Sequence, residues 1–566
     1  AMTRDDETST RIEPDPRADA RFLLDFQREV VGYHEFELEA AAGTVIDFHV
    51  FEFIQPLSAE AHRSGRINLC TGMNNTFRYV CREGHQRYRT LLRRGGRYAW
   101  VSIRNAARPV SIQGVRLIES TAPLSDRGAF RSSDSLLDRA YEVSRQTLRC
   151  CAEDTYTDCP TYEQVYWVGD ARNESLVDLS LNGDATLSEH CWRQAARSLA
   201  RNPLVESHVP SGFQGLIPTW SFLWMRWAWE HFIFTGDEAF AEEALDWIAR
   251  QVDNLAGMIG DDGLIDLHAW NLFDWADMDT PADAKVCHVN CFAVRGLEDT
   301  ANLAEKMNQH ERARSWRAMA QSLREATDRA FWSENERAYR DCIRVDGAPS
   351  DVFSQQTQTA AYLAGIGDRD RASRCRALIT DPPPHFVVSG SPFFLFFVFE
   401  VLAEEGETGE MLEQIRRGVG PQIEAGATTF WERFHPHAER MTRSHCHAWS
   451  AGPGYFLPRY ALGVRPAAPG WAEALIEPRP DVLRFAEGVV PTPRGDIACG
   501  WRSEGGKLRI EIRLPETIEA RIRLPFEGTC HLERGTRRRA EGNEICVAGP
   551  EVALTIEPMD AVAAGR

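Results

Sequence analysis

The stretch SSDSLLDRAYEVSRQTLRCC, residues 132–151, marks the point where the hydrophobic period of the chain changes. Asp134 or either of the serines before it can cap a helix. Apolar residues then recur at helical spacing, on a stripe formed by Leu137, Tyr141, Leu148 and Cys151. Further helical patterns follow, among them 218–235 and 392–404, with loops between them. The sequence therefore predicts an all-α domain in which helix hairpins form a ring.

Short apolar runs with a period of two lie on both sides of this helical region. Between residues 20 and 124 they include TVIDFHVFEFI and VSIQGVRLIE, a pattern typical of antiparallel strands. The same period returns after residue 464. We predict a multidomain chain of α and β: a flexible polar lead (1–19), an N-terminal antiparallel β-domain (20–124), a helical domain (125–464) and a C-terminal β-sandwich domain (465–566).

The charge and hydropathy of the chain exclude several classes of partner. Its formal net charge is -19, and an acidic surface repels phosphate backbones, so we expect no nucleic acid. No apolar run reaches the length of a transmembrane helix, so we expect no membrane insertion. Sixteen Trp residues offer flat apolar faces of the kind on which sugar rings pack.

Cysteine usage and the start of the chain indicate a cytoplasmic location. The first 20 residues are charged and lack the apolar region of a secretory signal. The 14 cysteines are scattered rather than arranged as a metal frame or a small disulfide scaffold. No glycine-rich phosphate loop and no GxSxG elbow is present, so we expect neither a nucleotide cofactor nor acyl-transfer chemistry.

The stretch DCPTYEQVYWVGD, residues 158–170, concentrates acids and aromatic residues in what Pro160 predicts to be a loop. Three carboxylates in one loop suit either metal binding or glycosidic cleavage, in which one acid is protonated and the other ionised. A solvated acidic loop is the simpler alternative. Aromatic walls that would favour a shared pocket are available from Tyr162, Tyr166 and Trp167.

A second candidate stretch spans residues 426–456. Glu432 lies next to Trp431 and close to a second aromatic residue, a poor position for an ordinary surface carboxylate. His435, His437, His445 and His447 cluster nearby, and the last two have a spacing that could ligate zinc. No third ligand is evident, so we expect no metal, and we expect His447 to hydrogen-bond a sugar hydroxyl instead.

Two further stretches combine tryptophan with possible binding roles. In the helix pattern at 218–235, Trp224 and Trp227 have the spacing of a packing stripe, whereas Trp220 at the helix start is the better sugar platform. In LHAWNLFDWADMD, residues 267–279, Asp274 lies between two tryptophans, one of which is Trp275.

Taken in order, these segments resemble a known family. GAFRSSDSLLDRAYEVSRQTL, DCPTYEQVYWVGDA, WNLFDW, GATTFWERF and SHCHAWSAGP are similar to motifs of the bacterial α-L-rhamnosidases of glycoside hydrolase family 78, and the resemblance extends over residues 20–560. It implies a central (α/α)6 barrel between N-terminal and C-terminal β-sandwich domains, and hydrolysis with inversion of the anomeric configuration.

The resemblance also implies roles for individual residues. Glu163 matches the general acid of the family and Glu432 the general base. Tyr162 stands where family members usually carry Arg. The remaining expected substrate contacts are Asp158, Tyr162, Trp167, Asp170, Trp220, Asp274, Trp275, Trp431 and His447.

We therefore expect an inverting exo-glycosidase that releases terminal α-L-rhamnose without a cofactor. Its partner would be a carbohydrate, and it could form a homo-oligomer. Two alternatives remain open: a related hydrolase for a different terminal sugar, which the Tyr162 departure would fit, and a non-catalytic carbohydrate-binding protein on the same scaffold.

Overall fold

The computed structural model describes residues 9–54, 75–212, 215–434 and 443–558. These residues form an N-terminal β-rich domain, a central helical domain and a C-terminal β-rich domain, in the order that the sequence predicts. Within the described residues, no helix has both the length and the apolar character that a membrane span requires.

The N-terminal domain is built on an antiparallel sheet with the strand order β1-β7-β2-β6-β3-β4, and β5 pairs with β2. Alternate side chains of the long central strand face an aromatic core in which Phe36 stacks on Phe48. The strands are β1 (Thr10–Ile12), β2 (Ala20–Ala40), β3 (Val45–Phe51), β4 (Thr76–Val80), β5 (Gly84–Arg89), β6 (Arg94–Arg104) and β7 (Val110–Glu119).

Strand β1 falls in the segment that the sequence assigns to the polar lead. Thr10–Ile12 pairs with β7 at the edge of the sheet, so this part of residues 1–19 has regular structure. A lone three-residue strand carries too little hydrophobic pattern to be recognised in the sequence, and its partner strand provides the missing hydrogen bonds.

The helical domain begins after the short strand β8 (Ala129–Ser132). Its helices are α1 (Ser135–Cys151), α2 (Val168–Leu181), α3 (Thr186–Arg197), α4 (Pro218–Thr235), α5 (Glu238–Ala256), α6 (Cys287–Lys306), α7 (His310–Phe331), α8 (Gln355–Leu363), α9 (Arg369–Thr380), α10 (Pro392–Glu404), α11 (Thr408–Glu424) and α12 (Pro453–Phe456). Between them lie the two-residue strands β9 (Lys285–Val286), β10 (Trp332–Ser333), β11 (Ala338–Tyr339) and β12 (Cys342–Ile343).

The expected cap of the first helix is present. The Asp134 carboxylate accepts hydrogen bonds from the backbone N–H groups of Leu136 and Leu137, which fixes where α1 begins. Buried residues of α1 include Leu137, Tyr141, Leu148 and Cys151, which are the stripe that the sequence predicts.

Alternate helices of this domain differ in burial. The odd-numbered helices α1 to α11 each have a polar face, whereas α2 and α10 are buried on almost every side. The buried helices contact one another in series: α2 packs against α4, α4 against α6, α6 against α8, and α8 against α10. The helical turn Ala448–Ser450 packs on α10, and α12 packs on α2, so the series closes on itself.

Helix α2 lies where the sequence pattern predicts only the loop 154–170 and gives no helix after it. Every residue of α2 is buried, including Arg172, Asn173 and Glu174. A helix that is surrounded by protein has no stripe of polar residues facing solvent. The sequence of α2 therefore lacks the amphipathic period by which α1 can be recognised.

The C-terminal domain contains a sheet with the strand order β13-β14-β18-β20-β17-β16-β15-β8, and β19 pairs with β20. Strand β8 thus belongs to this sheet, although it precedes the helical domain in the chain. The strands are β13 (Val464–Pro466), β14 (Glu473–Ile476), β15 (Phe485–Val490), β16 (Ile497–Glu504), β17 (Lys507–Arg513), β18 (Glu519–Arg523), β19 (Gly528–Glu541) and β20 (Glu544–Pro558).

A buried ion network joins three of the central helices. Arg172 of α2 is fully buried and donates to Glu230 of α4 (Nε–Oε2, 2.8 Å) and to Glu400 of α10 (Nη2–Oε1, 2.6 Å). Arg226 pairs with the same two carboxylates, so removing the Arg172 guanidinium would leave Glu230 and Glu400 in a buried site with less compensating positive charge.

We predict that Arg172→Ala lowers the free energy of unfolding of the helical domain by about 3–5 kcal/mol, because it removes one of the buried cations that compensate the Glu230 and Glu400 carboxylates. Denaturant unfolding followed by tryptophan fluorescence measures the change. Arg193→Ala is the control, because Arg193 forms part-exposed pairs with Glu189 and Glu243, and such pairs contribute less than about 1 kcal/mol. Equal effects of the two substitutions would contradict the prediction.

Candidate active site

A pocket opens at the N-terminal ends of the central helices. Asp170 lies in the first turn of α2, and Trp220 lies in the first turn of α4. The pocket encloses about 380 Å³ of empty space, including its open mouth. Its walls combine the aromatic residues Trp167, Trp220, Trp270, Trp275 and Trp449 with the ionisable residues Glu163, Asp170, Glu432, Arg443 and His447.

Glu163 is held by the tight loop that precedes α2. Asp158 and Val165 bond across the base of this loop, with Asp158 N–H donating to the Val165 carbonyl (2.9 Å) and Val165 N–H donating to Asp158 Oδ1 (2.8 Å). Gln164 adopts a positive φ of 53°, which turns the chain immediately after Glu163. The Trp167 indole N–H donates to Glu163 Oε2 (2.8 Å), so the carboxylate is oriented but stays partly open to solvent.

Glu432 enters the pocket from a second loop and is almost wholly buried. Its carboxylate accepts hydrogen bonds from the Tyr162 hydroxyl and from the Ser444 N–H (3.1 Å), and Arg443 Nε lies 3.1 Å from Oε1. Burial raises the pKa of Glu432, and the Tyr162 hydrogen bond and the Arg443 charge act in the opposite direction.

Arg443 lies between the two glutamates. Its Nη2 atom is 3.9 Å from Glu163 Oε1, and its guanidinium lies over the Trp275 ring at 4.3 Å from the centroid. Since one planar guanidinium reaches both groups, their nearest oxygens lie within about 10 Å of each other, and an inverting pair stands about 6.5–9.5 Å apart. Arg443 therefore offsets the repulsion between two carboxylates that share one pocket.

A third group of ionisable residues lies beside this pair. His447 is buried between two aspartates, with Nε2 3.8 Å from Asp158 Oδ2 and Nδ1 3.9 Å from Asp170 Oδ1. Burial raises the pKa of both aspartates, and burial, followed by the Arg443 charge, lowers the pKa of His447. Burial thus favours the uncharged forms, which can both donate and accept hydrogen bonds.

Several buried polar atoms around the pocket have no hydrogen-bond partner among the described residues. They are Asp158 Oδ2, His447 Nδ1, Trp220 Nε1 and Trp275 Nε1. Buried polar groups normally have hydrogen-bond partners, so these atoms are available to bind a polar ligand. A sugar offers several hydroxyl groups as partners, together with apolar C–H faces for the tryptophans.

Three tryptophans of α4 lie where the sequence predicts, two in the core and one at the pocket. Trp224 stacks on Trp192 at a centroid distance of 4.5 Å and is fully buried in the core, as is Trp227. Trp220 lines the pocket, and its ring lies directly above Gly169, where a Cβ atom would be only 2.3 Å from the ring atom Cδ2. A glycine at this position of α2 is therefore required for the close approach of the ring.

Four of the expected substrate contacts do not line this pocket, and one of them is Asp158, which lies next to the lining residue His447. Asp274 is buried behind it and accepts hydrogen bonds from the Gly390 N–H (2.7 Å) and Gln356 Nε2 (2.7 Å), so its oxygens hold the loop before α10. Trp431 stacks on His445 at 4.4 Å and faces a separate cavity toward the N-terminal domain. Tyr162 reaches the site only through its hydroxyl, which binds Glu432.

Five residues that line the pocket are absent from the contacts that the sequence predicts: Ile217, Trp270, Leu272, Arg443 and Trp449. Arg443 and Trp449 flank the Ser-His-Cys-His motif, and this position next to a family motif could have marked them as pocket residues. The sequence of a loop, however, does not specify the direction in which an arginine side chain points. Trp270 is 49 % exposed and forms an edge contact with Trp167 at the pocket mouth. In the sequence, Trp270 is recognisable only as one of the two tryptophans on either side of Asp274.

The histidine cluster does not form a metal site among the described residues, which contain no grouping of His, Cys, Asp and Glu that could hold an ion. His445 packs between Phe53 and Trp431, whereas His447 faces the aspartates of the pocket, so the two rings line different cavities. His435 and His437 lie outside the described residues.

Comparison with known families agrees with this architecture. The profile of the bacterial α-L-rhamnosidase six-hairpin glycosidase domain matches residues 125–461. The concanavalin-like domain of the same enzymes matches residues 16–118, and their C-terminal domain matches residues 463–538. The chain belongs to the bacterial α-L-rhamnosidase family.

Solved structures and curated proteins give the same relationship. The family 78 rhamnosidase of Bacillus sp. GL1 is 40% identical, with a TM-score of 0.87 over 91% of this chain and 54% of that one. The α-L-rhamnosidase of Streptomyces avermitilis, solved in complex with L-rhamnose, is 18% identical with a TM-score of 0.76, over 95% of this chain and 52% of that one. An α-L-rhamnosidase of Formosa agariphila is 22% identical over 94% of this chain and 58% of that protein. The chain thus spans little more than half the length of these relatives.

We predict that Gly169→Ala destabilises the protein by roughly 1–3 kcal/mol, because a methyl group forces the buried Trp220 ring to move. Denaturant unfolding measures the loss. The control is Gly212→Ala, since a Cβ atom at Gly212 would meet no described atom within 4 Å. Equal stability of the two variants would show that the Trp220 ring can shift without cost.

Proposed function

We propose that this chain is an inverting α-L-rhamnosidase that hydrolyses terminal rhamnose from glycosides or oligosaccharides. The observation that carries the proposal is the placement of Glu163 and Glu432 in one aromatic pocket, within reach of a single guanidinium. Membership of the rhamnosidase family and the 40% identity to the Bacillus enzyme support the choice of sugar.

The environments of the two glutamates support different roles. Glu163 is the more exposed and lies beside the pocket mouth, where the departing group must leave, so we assign it as the general acid that protonates the glycosidic oxygen. Glu432 is buried among hydrogen-bond donors, which stabilise its carboxylate form, so we assign it as the general base. It would take a proton from the water that attacks the opposite face of the sugar.

Other residues in and beside the pocket would hold the sugar. Asp158 Oδ2 and His447 Nδ1 have no partner among the described residues and would bond the ring hydroxyls, with Asp170 alongside. Trp220 and Trp275 would pack against the apolar face of the ring.

We further infer that the helical domain is an (α/α)6 barrel. The support is the closed series of contacts among the buried helices and the alternation of buried and amphipathic helices along the chain. The barrel would place the N-terminal ends of the inner helices, and hence the pocket, at one end of the ring. Sandwich folds for both β-rich domains, the cytoplasmic location and any self-association stay predictions.

A panel of p-nitrophenyl glycosides, with NMR detection of the first-formed anomer, tests the function. We expect release of rhamnose with inverted configuration. Release from a different glycoside alone would favour the related hydrolase for another sugar, and binding without turnover of any glycoside would favour the non-catalytic protein.

We predict that Glu163→Gln and Glu432→Gln each lower kcat by roughly 10²–10⁴-fold, the usual contribution of a general acid or base. Both amides preserve the shape of the side chain, so thermal unfolding should change little. Glu206→Gln is the control, because Glu206 is as buried as Glu432 but pairs with Arg201 outside the pocket. Ordinary turnover by either pocket variant would refute the assignment.

We predict that Tyr162→Phe moves the acid limb of the kcat profile to higher pH. The Tyr162 hydroxyl lowers the pKa of Glu432 by hydrogen bonding its carboxylate, so its removal raises that pKa. The base would then become protonated, and inactive, at a higher pH than in the parent chain. Tyr166→Phe is the control, because the Tyr166 hydroxyl donates to the Cys191 carbonyl (2.7 Å) and not to Glu432. An unshifted limb in Tyr162→Phe would exclude Glu432 as the titrating base.

A further inference from the structure

A carboxylate of the N-terminal domain reaches the loops that carry both pocket glutamates. Glu52 follows strand β3 directly, and only 4% of its surface is exposed. It does not line the pocket of Glu163 and Glu432 and borders the separate cavity on the far side of Trp431. It therefore has no direct access to a bound sugar.

The hydrogen bonds of Glu52 join two separate loops. Its Oε1 atom accepts from the Thr161 hydroxyl (2.6 Å), which belongs to the loop of Glu163. Its Oε2 atom accepts from the His445 N–H (2.9 Å), which belongs to the loop that contacts Glu432. The Ser444 hydroxyl lies 3.0 Å from Oε1 as well, and 2.7 Å from the Cys446 carbonyl.

The residues that Glu52 binds lie within two positions in the sequence of Glu163 or of a residue that hydrogen-bonds Glu432. Thr161 immediately precedes Tyr162, whose hydroxyl binds Glu432, and lies two residues before Glu163. Ser444 donates its backbone N–H to Glu432 Oε2 (3.1 Å) and accepts from the Glu432 N–H through its carbonyl (2.9 Å). One side chain therefore connects the backbones that position the two carboxylates.

A second contact places the same domain against the loop of Glu163. The Gly95 N–H of β6 donates to the Pro160 carbonyl (3.1 Å), and a Cβ atom at Gly95 would lie 2.6 Å from Pro160 Cβ. The N-terminal sheet thus supports this loop at two points, Glu52 and Gly95. Both contacts are made with loop residues and not with helices.

We propose that Glu52 is a positioning residue, which fixes the placement of Glu163 relative to Glu432 by binding both loops. The inference rests on the proposed function. A displacement of about 1 Å between catalytic groups can reduce the rate about 100-fold, so the effect should appear in kcat and only weakly in KM, since Glu52 does not touch the sugar.

Three variants distinguish the hydrogen bond from Glu52 to the loop of Glu163 from its hydrogen bonds to the loop of Ser444 and His445. Glu52→Leu removes both, Glu52→Gln keeps one acceptor oxygen and loses the other, and Thr161→Val removes the link to the loop of Glu163 alone. We expect kcat on the aryl glycoside that the panel identifies to fall about 100-fold for Glu52→Leu and about 10-fold for the other two, with KM within about twofold. The double variant Glu52→Leu with Thr161→Val should be no slower than Glu52→Leu.

The matched control is Glu35→Gln. Glu35 is a buried carboxylate of the same sheet that pairs with Arg87 and Arg89, away from the pocket. It reports the effect on kcat of disturbing the sheet alone, and we expect none at temperatures where the variant is folded. Thr161→Val retains the Glu52 side chain and gives the answer if Glu52→Leu does not fold.

The outcomes are distinct. An active parent chain with unchanged kcat in Glu52→Gln and Thr161→Val overturns the role of Glu52 and leaves the proposed function standing. Losses of kcat that Glu35→Gln matches also overturn it, because they assign the effect to the sheet as a whole. A parent chain that hydrolyses no glycoside of the panel overturns both proposals.

Discussion

The contact of Arg443 with Glu432 and Glu163 is the interaction on which the pocket depends. Like charges cannot share a buried site unless an opposite charge or a proton compensates them. Arg443 supplies that charge between the two glutamates, and its position over Trp275 holds it in place. The repulsion between Asp158 and Asp170 is reduced in another way. Burial raises the pKa of both carboxyls, and His447, whose pKa burial lowers, lies between them.

This electrostatic arrangement requires a rigid frame, and the frame has two parts. The buried helices provide the floor, with Asp170 and Trp220 in the first turns of α2 and α4. Two loops provide the walls, and loops do not hold side chains as firmly as helices do. The hydrogen bonds of Tyr162, Ser444 and Glu52 between the loops supply the missing rigidity.

The order of domains follows from sequence period alone. The change from period two to helical spacing near Asp134, and the return after residue 464, predict the succession of β, α and β that the fold has. The helices at 218–235 and 392–404 are confirmed with the same bounds. These two helices are largely buried, and their long apolar runs reveal them, whereas the outer helices are revealed by one buried and one polar face.

What the sequence does not reveal has physical causes. Helix α2 is buried on all sides and shows no period. Arg443 lies in a loop, whose sequence does not state the direction of a side chain. Asp274 and Trp431 carry the residue types of a binding site, but their hydrogen bonds and ring contacts are used to hold other parts of the fold. The residue types in the sequence thus identify candidate binding residues. Only their contacts in the folded structure show which of them can touch a ligand and which hold other residues in place.

Strand β8 has a consequence for how the domains can be separated. It lies before α1 in the chain and yet forms the edge of the C-terminal sheet beside β15. A fragment that ends at residue 464 keeps β8 but lacks β15, its partner strand. A fragment that begins at residue 135 keeps the C-terminal sheet but lacks β8 at its edge. The helical domain and the C-terminal sheet are therefore joined through this strand, and an expression fragment that keeps the whole sheet has to begin upstream of Ala129.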